Sequence, residues 1–102
     1  QSISKFNSIE LKEGMIVSNE PGYYEEGKFG IRIENLIYVE RKKNKLKFKN
    51  LTMAPIDGDL ISKELLNSNE KNYLLKYNLE VYNNISKYLN KNERNWLLNS
   101  LQ

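Results

Sequence analysis

Two acidic residues, Glu20 and Glu34, each lie inside a run of apolar and turn-forming residues. The first run is Met15-Ile16-Val17-Ser18-Asn19-Glu20-Pro21-Gly22 and the second is Phe29-Gly30-Ile31-Arg32-Ile33-Glu34. Their midpoint is Gly27, within Glu25-Glu26-Gly27-Lys28, which reads as a turn. A hairpin folded about that turn sets the two glutamates opposite each other on one face, with Cβ atoms about 4.5–5.5 Å apart. Carboxylates held that close repel, and half-burial raises the cost. A shared proton, an interposed Arg or Lys, or a bound metal ion relieves the repulsion. Oxygen-only ligation favours a hard cation such as Mg²⁺ or Mn²⁺ over zinc. Arg32, on the same strand face as Glu34, could neutralise the pair without any metal. Two glutamates facing solvent on an ordinary hairpin fit the same spacing, so periodicity alone leaves these readings open.

Composition narrows the remaining chemistry. The chain has 102 residues, 16 basic and 13 acidic, with a formal net charge of +3 and neither cysteine nor histidine. A disulfide framework, a thiolate zinc site and a Ser-His or Cys-His pair are thereby excluded from this chain. Catalysis must use carboxylates, hydroxyls, Lys or Arg, or groups supplied from outside. No apolar run exceeds the four residues Leu36-Ile37-Tyr38-Val39, far short of a membrane span. The stretch Gln1 to Glu10 mixes polar and charged residues and does not read as a signal peptide. The chain does not begin with Met, which fits an internal fragment, and a processed or trimmed chain fits it equally.

The elements that must position the two acids fall in the first half. Leu11-Lys12-Glu13-Gly14 reads as a turn, and Met15 to Glu20 as a short strand ended by Pro21-Gly22. Phe29 to Glu40 reads as one strand, with Ile31 and Ile33 on one face and Arg32, Glu34 and Leu36 on the other. Leu46 to Met53 alternates as a half-buried strand does, and Asp57-Gly58-Asp59 closes this half. Near residue 60 the pattern turns helical. Ser62 is expected to cap a short helix through Leu66, and Asn69-Glu70 to start a longer one. Leu74, Tyr77, Val81, Ile85 and Tyr88 then form one apolar stripe. Asn90 and Glu93 have capping-box spacing ahead of Trp96, Leu97 and Leu101.

The basic run from Arg41 to Lys49 carries the only charge pattern that suggests nucleic acid or a membrane surface. Its lysines precede or alternate with strand residues, and Phe48 is the single interleaved aromatic. It reads as the solvated face of a hairpin, so neither nucleic acid nor membrane is an expected partner.

Taken together, Gly14 to Tyr24 with its Glu-Pro-Gly-Tyr-Tyr, and Gly30-Ile31-Arg32-Ile33-Glu34-Asn35, resemble a known family. They are similar to the C-terminal part of the catalytic domain of Xaa-Pro aminopeptidases (aminopeptidase P), within the creatinase/methionine aminopeptidase-like superfamily. Leu51-Thr52-Met53-Ala54-Pro55-Ile56 and Glu93-Arg94-Asn95-Trp96-Leu97 extend the resemblance, and Gln1-Ser2-Ile3-Ser4 looks like the segment after that family's histidine loop. The cytosolic, long-chain type, which carries a helical C-terminal extension, is the closest match.

The resemblance implies an α+β fold: the C-terminal piece of a pita-bread domain, an antiparallel hairpin and sheet in residues 1–60, then a helical extension in 61–102. It implies two divalent metal ions, manganese as a rule, held by two aspartates, one histidine and two glutamates. Glu20 and Glu34 match the two glutamates, with Glu34 bridging, while Arg32 and Tyr24 match partners that orient and charge-balance the site. The implied reaction is hydrolysis of the N-terminal residue preceding proline, on peptides with proline at position two, in the cytoplasm. Three of the five ligands are missing from this chain, so alone it is expected neither to bind manganese tightly nor to cleave peptides. A catalytically inactive peptide- or protein-binding module and a prolidase-like sibling activity are the alternatives. The tyrosines of the helical end and Trp96 exceed what one small helical pair buries. They suggest packing on the rest of the catalytic domain or a homodimer. On this reading the 102 residues are the tail of a domain.

Overall fold

A computed structural model describes residues 8–101. The segment Gln1-Ser2-Ile3-Ser4, part of the family resemblance, lies outside the described residues. The architecture is α+β, antiparallel strands followed by helices, and it divides into two compact units, residues 1–52 and 53–102. Among the described residues no helix is long and apolar enough to cross a membrane.

The first unit holds five strands: β1 (Ile16–Asn19), β2 (Gly22–Glu25), β3 (Phe29–Arg32), β4 (Asn35–Lys42) and β5 (Lys45–Asn50). They form a three-stranded antiparallel sheet in the order β1-β4-β5 and a separate two-stranded β2-β3 ladder. The stretch from Phe29 to Glu40, expected as one strand, is thus broken at Ile33 and Glu34, and Gly22, expected with Pro21 to end a strand, begins β2. Both departures trace to Pro21. Ile33 N–H donates to the Pro21 carbonyl at 3.1 Å, but Pro21 has no N–H to return the bond, so the ladder lapses there. The register continues across the lapse: Asn19 faces Asn35 on one side and Gly22 faces Arg32 on the other. Gly27, at φ 72°, supplies the left-handed residue of the intervening turn.

Alternation buries Val17, Ile37 and Val39 on one side of the larger sheet. Residues Lys43 and Asn44, at φ 51° and 65°, make the two-residue turn between β4 and β5. Two positive φ values match the right-handed twist of a tight hairpin. Lys47 faces Glu40, and Lys49 faces Tyr38 with its ammonium 5.9 Å from the ring centroid. Both lysines stand exposed, the solvated face that the alternation of the basic run implied.

The second unit begins with single 3₁₀ turns at Gly58–Leu60 and Lys63–Leu65. Ser62 precedes the latter, but its hydroxyl bonds Glu64 at 2.9 Å and caps no backbone group. Helix α1 spans Ser68–Ile85 and α2 spans Lys91–Ser100. The start expected at Asn69 is corrected to an N-cap at Asn67, whose side chain accepts from Glu70 N–H at 2.9 Å while Glu70 accepts from Asn67 N–H at 3.0 Å. Asn90 and Glu93 repeat that reciprocal pair, as their spacing implied.

Tyr77, Val81 and Leu97 form the buried cluster of this unit, with Ile56, Ile85 and Leu89 packed against it. Tyr77 Oη donates to the Ala54 carbonyl at 2.6 Å, and Asn78 Nδ2 donates to the Leu101 carbonyl at 3.0 Å, tying the helix to both flanking segments. Tyr88, the last member of the expected stripe, is 75% exposed, because the chain leaves α1 for a 3₁₀ turn at Ser86–Tyr88. Trp96 is 66% exposed beside the buried Leu97.

Candidate metal centre

The site is built on the hairpin formed by β1 and β2 on one arm and β3 and β4 on the other. Side chains alternate along a strand, so Gly22 and Tyr24 share a face with their cross-strand partners Arg32 and Gly30. The register on either side of Pro21, Asn19 with Asn35 and Gly22 with Arg32, sets Glu20 opposite Glu34. Hydrogen-bonded positions are marked by Val39 N–H donating to the Met15 carbonyl and Ile33 N–H donating to the Pro21 carbonyl. The pair one step away, Glu20 and Glu34, therefore occupies a non-hydrogen-bonded position, where opposed Cα atoms lie only about 4.5 Å apart. Glu20 is half-buried and Glu34 exposed.

Arg32 is held in place by Tyr24. Its Nε donates to Tyr24 Oη at 2.9 Å, and its guanidinium carbon lies 5.9 Å from the Tyr24 ring centroid. The hydrogen bond to Tyr24 and that residue's charge, then the charges of Glu20 and, more weakly, Glu34, raise the guanidinium pKa above its ordinary value. All four residues singled out from the sequence thus meet on one face of one hairpin, with a fixed cation beside two anions.

Two glycines make that arrangement possible; from the sequence, Gly22 was assigned only the end of a strand and Gly30 no role. A Cβ on Gly22 would stand 2.5 Å from Tyr24 Oη, and one on Gly30 would stand 2.6 Å from Tyr24 Cδ1. The tyrosine ring therefore lies across bare backbone at both positions. The signal was available: once Gly27 is the midpoint, Gly30 faces Tyr24 and Gly22 lies two residues from it on the same face. On the opposite face Tyr23 and Phe29 pack with ring centroids 6.0 Å apart, and Ile31 and Ile33 are exposed beside them.

As a donor set, two opposed carboxylates with an adjacent guanidinium fit two positions of a hard-cation site. They do not make a whole one. No cluster of three or more Asp, Glu, His or Cys side chains able to hold a metal occurs among the described residues.

The description "Metallopeptidase family M24" matches residues 1–41, and "C-terminal region of peptidase_M24" matches residues 44–102. The chain belongs to the M24 metallopeptidase family. It is similar to the probable Xaa-Pro aminopeptidase P of Laccaria bicolor, 44% identical over 101 residues, covering 89% of this chain and 16% of that protein. The probable Xaa-Pro aminopeptidase P of Pyrenophora teres f. teres is 41% identical over 95 residues, covering 85% and 14% respectively. Among solved structures, the X-prolyl aminopeptidase of Caenorhabditis elegans, described as a cytosolic enzyme with a di-nuclear active site, superposes with a TM-score of 0.82 at 30% identity. That match covers 97% of this chain and 18% of the other. The chain spans about a sixth of the length of the relatives it matches.

Proposed function

We propose that this chain is the C-terminal part of a di-metal Xaa-Pro aminopeptidase, which removes the N-terminal residue of peptides that carry proline at position two. The observation that carries the reading is the opposition of Glu20 and Glu34 on a face that also bears Arg32 and Tyr24. In this reading Glu20 and Glu34 hold the metals, Glu34 as the bridge, and the remaining ligands come from the part of the relatives' length outside this chain. Manganese is the proposed metal and the cytoplasm the proposed compartment, supported by carboxylate ligation and by the cytosolic structural neighbour. Bound metals of this kind supply Lewis acidity, polarising the scissile carbonyl and lowering the pKa of water.

The chain's own residues do the positioning. Glu20 and Glu34 supply negative charge from the seam between paired strands, β1 and β2 on one arm and β3 and β4 on the other, so the register on either side sets their separation. Arg32 balances that charge from the same face, and Tyr24 limits the directions its guanidinium can take. Residues 1–60 are proposed to close the catalytic domain and 61–102 to form its helical extension, which packs on that domain or joins two subunits.

The test is hydrolysis of an Xaa-Pro-Xaa peptide by the intact protein with Mn²⁺, beside an Xaa-Pro dipeptide. Cleavage of the longer peptide, abolished in Glu34→Gln and in Glu20→Gln, supports the reading. Cleavage of the dipeptide alone points to a prolidase. No cleavage of either, with all metal ligands intact, rejects it in favour of a binding module.

A further inference from the structure

Gly22 and Gly30 both lie in strands, where a missing side chain weakens pairing and marks a close approach by another group. Neither has a positive φ, so neither is required to be glycine by its own backbone. What approaches both is the Tyr24 ring, with Oη over Gly22 and Cδ1 over Gly30. Gly22 is also the cross-strand partner of Arg32. The seat on the two glycines therefore delivers the tyrosine hydroxyl to the position where it accepts from Arg32 Nε at 2.9 Å.

That bond competes with another. Arg32 lies two residues from Glu34 and diagonally across the hairpin from Glu20. Diagonal neighbours stand about 7–8 Å apart, within reach of a long side chain. A guanidinium left free there would pair with the carboxylates, and a carboxylate held in such a pair must be released before it can ligate a cation. Yet the ion pairs among the described residues are Lys28 with Glu25 and Arg41 with Glu13, and none joins Arg32 to Glu20 or Glu34.

We infer that Gly22 and Gly30 are positioning residues for metal binding: the room they leave for the Tyr24 ring holds the Arg32 guanidinium off Glu20 and Glu34 and keeps both carboxylates open to a divalent cation. This rests on the metal-binding role proposed for the two glutamates. Held in this way, Arg32 balances their charge from a distance without occupying the ligands.

Calorimetric titration of the metal-free intact protein with Mn²⁺ tests the inference. Gly30→Ala unseats the ring, frees Arg32 to pair with the glutamates, and should weaken Mn²⁺ binding about fivefold, the scale of an exposed ion pair that must break first. Gly22→Ala should act alike. So should Tyr24→Phe, which keeps the ring, removes the acceptor and adds no atom, so it serves where an alanine variant fails to fold. In an Arg32→Gln background no guanidinium remains to fall on the carboxylates, and Gly30→Ala and Tyr24→Phe should each leave Mn²⁺ affinity unchanged. A purely structural role for Gly30 would carry its penalty into that background, and this result overturns the inference. Undiminished affinity in Gly30→Ala and Tyr24→Phe with Arg32 present overturns it too, while the metal reading stands. A native protein that binds no Mn²⁺ overturns both.

Discussion

Gly30→Ala isolates the seat of Tyr24 from everything else in the hairpin. The added Cβ would stand 2.6 Å from Tyr24 Cδ1 and 3.1 Å from Cε1, whereas carbon atoms rest at about 3.5–4.0 Å. The ring must therefore retreat by about 1 Å, and it cannot slide along the strand because Oη already lies over Gly22. Tyr24 is exposed, so its way out is into solvent, which surrenders the 2.9 Å bond from Arg32 Nε. Two opposed effects then meet in stability. Overpacking and the lost contact cost about 1–3 kcal/mol, while removing a glycine from the unfolded chain returns about 0.4–1 kcal/mol. The net is a loss of about 1 kcal/mol in an otherwise unchanged background. The decisive assay is a double-mutant cycle by denaturant unfolding, comparing Gly30→Ala in the native background and with Tyr24→Ala. Without the ring the alanine has nothing to strike, so the substitution should become neutral or slightly stabilising. A coupling below about 0.5 kcal/mol would refute the reasoning, because the glycine would then owe its place to something other than Tyr24.

The remaining predictions concern the helical unit. Asn67→Ala removes the acceptor for Glu70 N–H and should lower stability by about 1 kcal/mol, read as a reduced melting temperature. Val81 is 1% exposed in the Tyr77-Leu97 cluster, and Val81→Ala should cost about 1.5–3 kcal/mol, read by the same melt. Glu64 has its pKa lowered from 4.5, first by a backbone hydrogen bond and then by Ser62. A depressed carboxyl stabilises the fold above its unfolded pKa and loses that contribution as pH falls through the lower folded value. Melting curves should therefore show any advantage of the native chain over Glu64→Gln shrinking as pH drops below 4.5.

Sequence periodicity reached the register of the hairpin because strand alternation has a period of two and Gly27 marks the turn. That was enough to oppose Glu20 and Glu34. The break in the long strand was less accessible: it depends on which residue Ile33 faces, and only the register shows that the partner is Pro21. The Lys43-Asn44 turn was hidden by charge, since a basic run masks the two residues that must take positive φ. Three asparagines compete for the start of α1. Asn67 wins because only it has a glutamate three residues on, a spacing visible in the sequence and missed in favour of the nearer Asn69-Glu70 pair. The exposure of Tyr88 and Trp96 has no local signature, because it depends on where the chain leaves each helix.

The seam at Pro21 has a consequence for the order of events in folding. Glu20 and Glu34 are joined by a short loop that closes on itself, and hairpins of this kind form on a scale of about 1–10 μs. Their approach requires no long-range contact, so the entropic cost of bringing them together is that of a small loop. Arg32 arrives with the same loop, and the repulsion between the carboxylates meets its counter-charge as the hairpin closes. The hairpin that carries the two glutamates and Arg32 can thus assemble as a kinetic unit of its own.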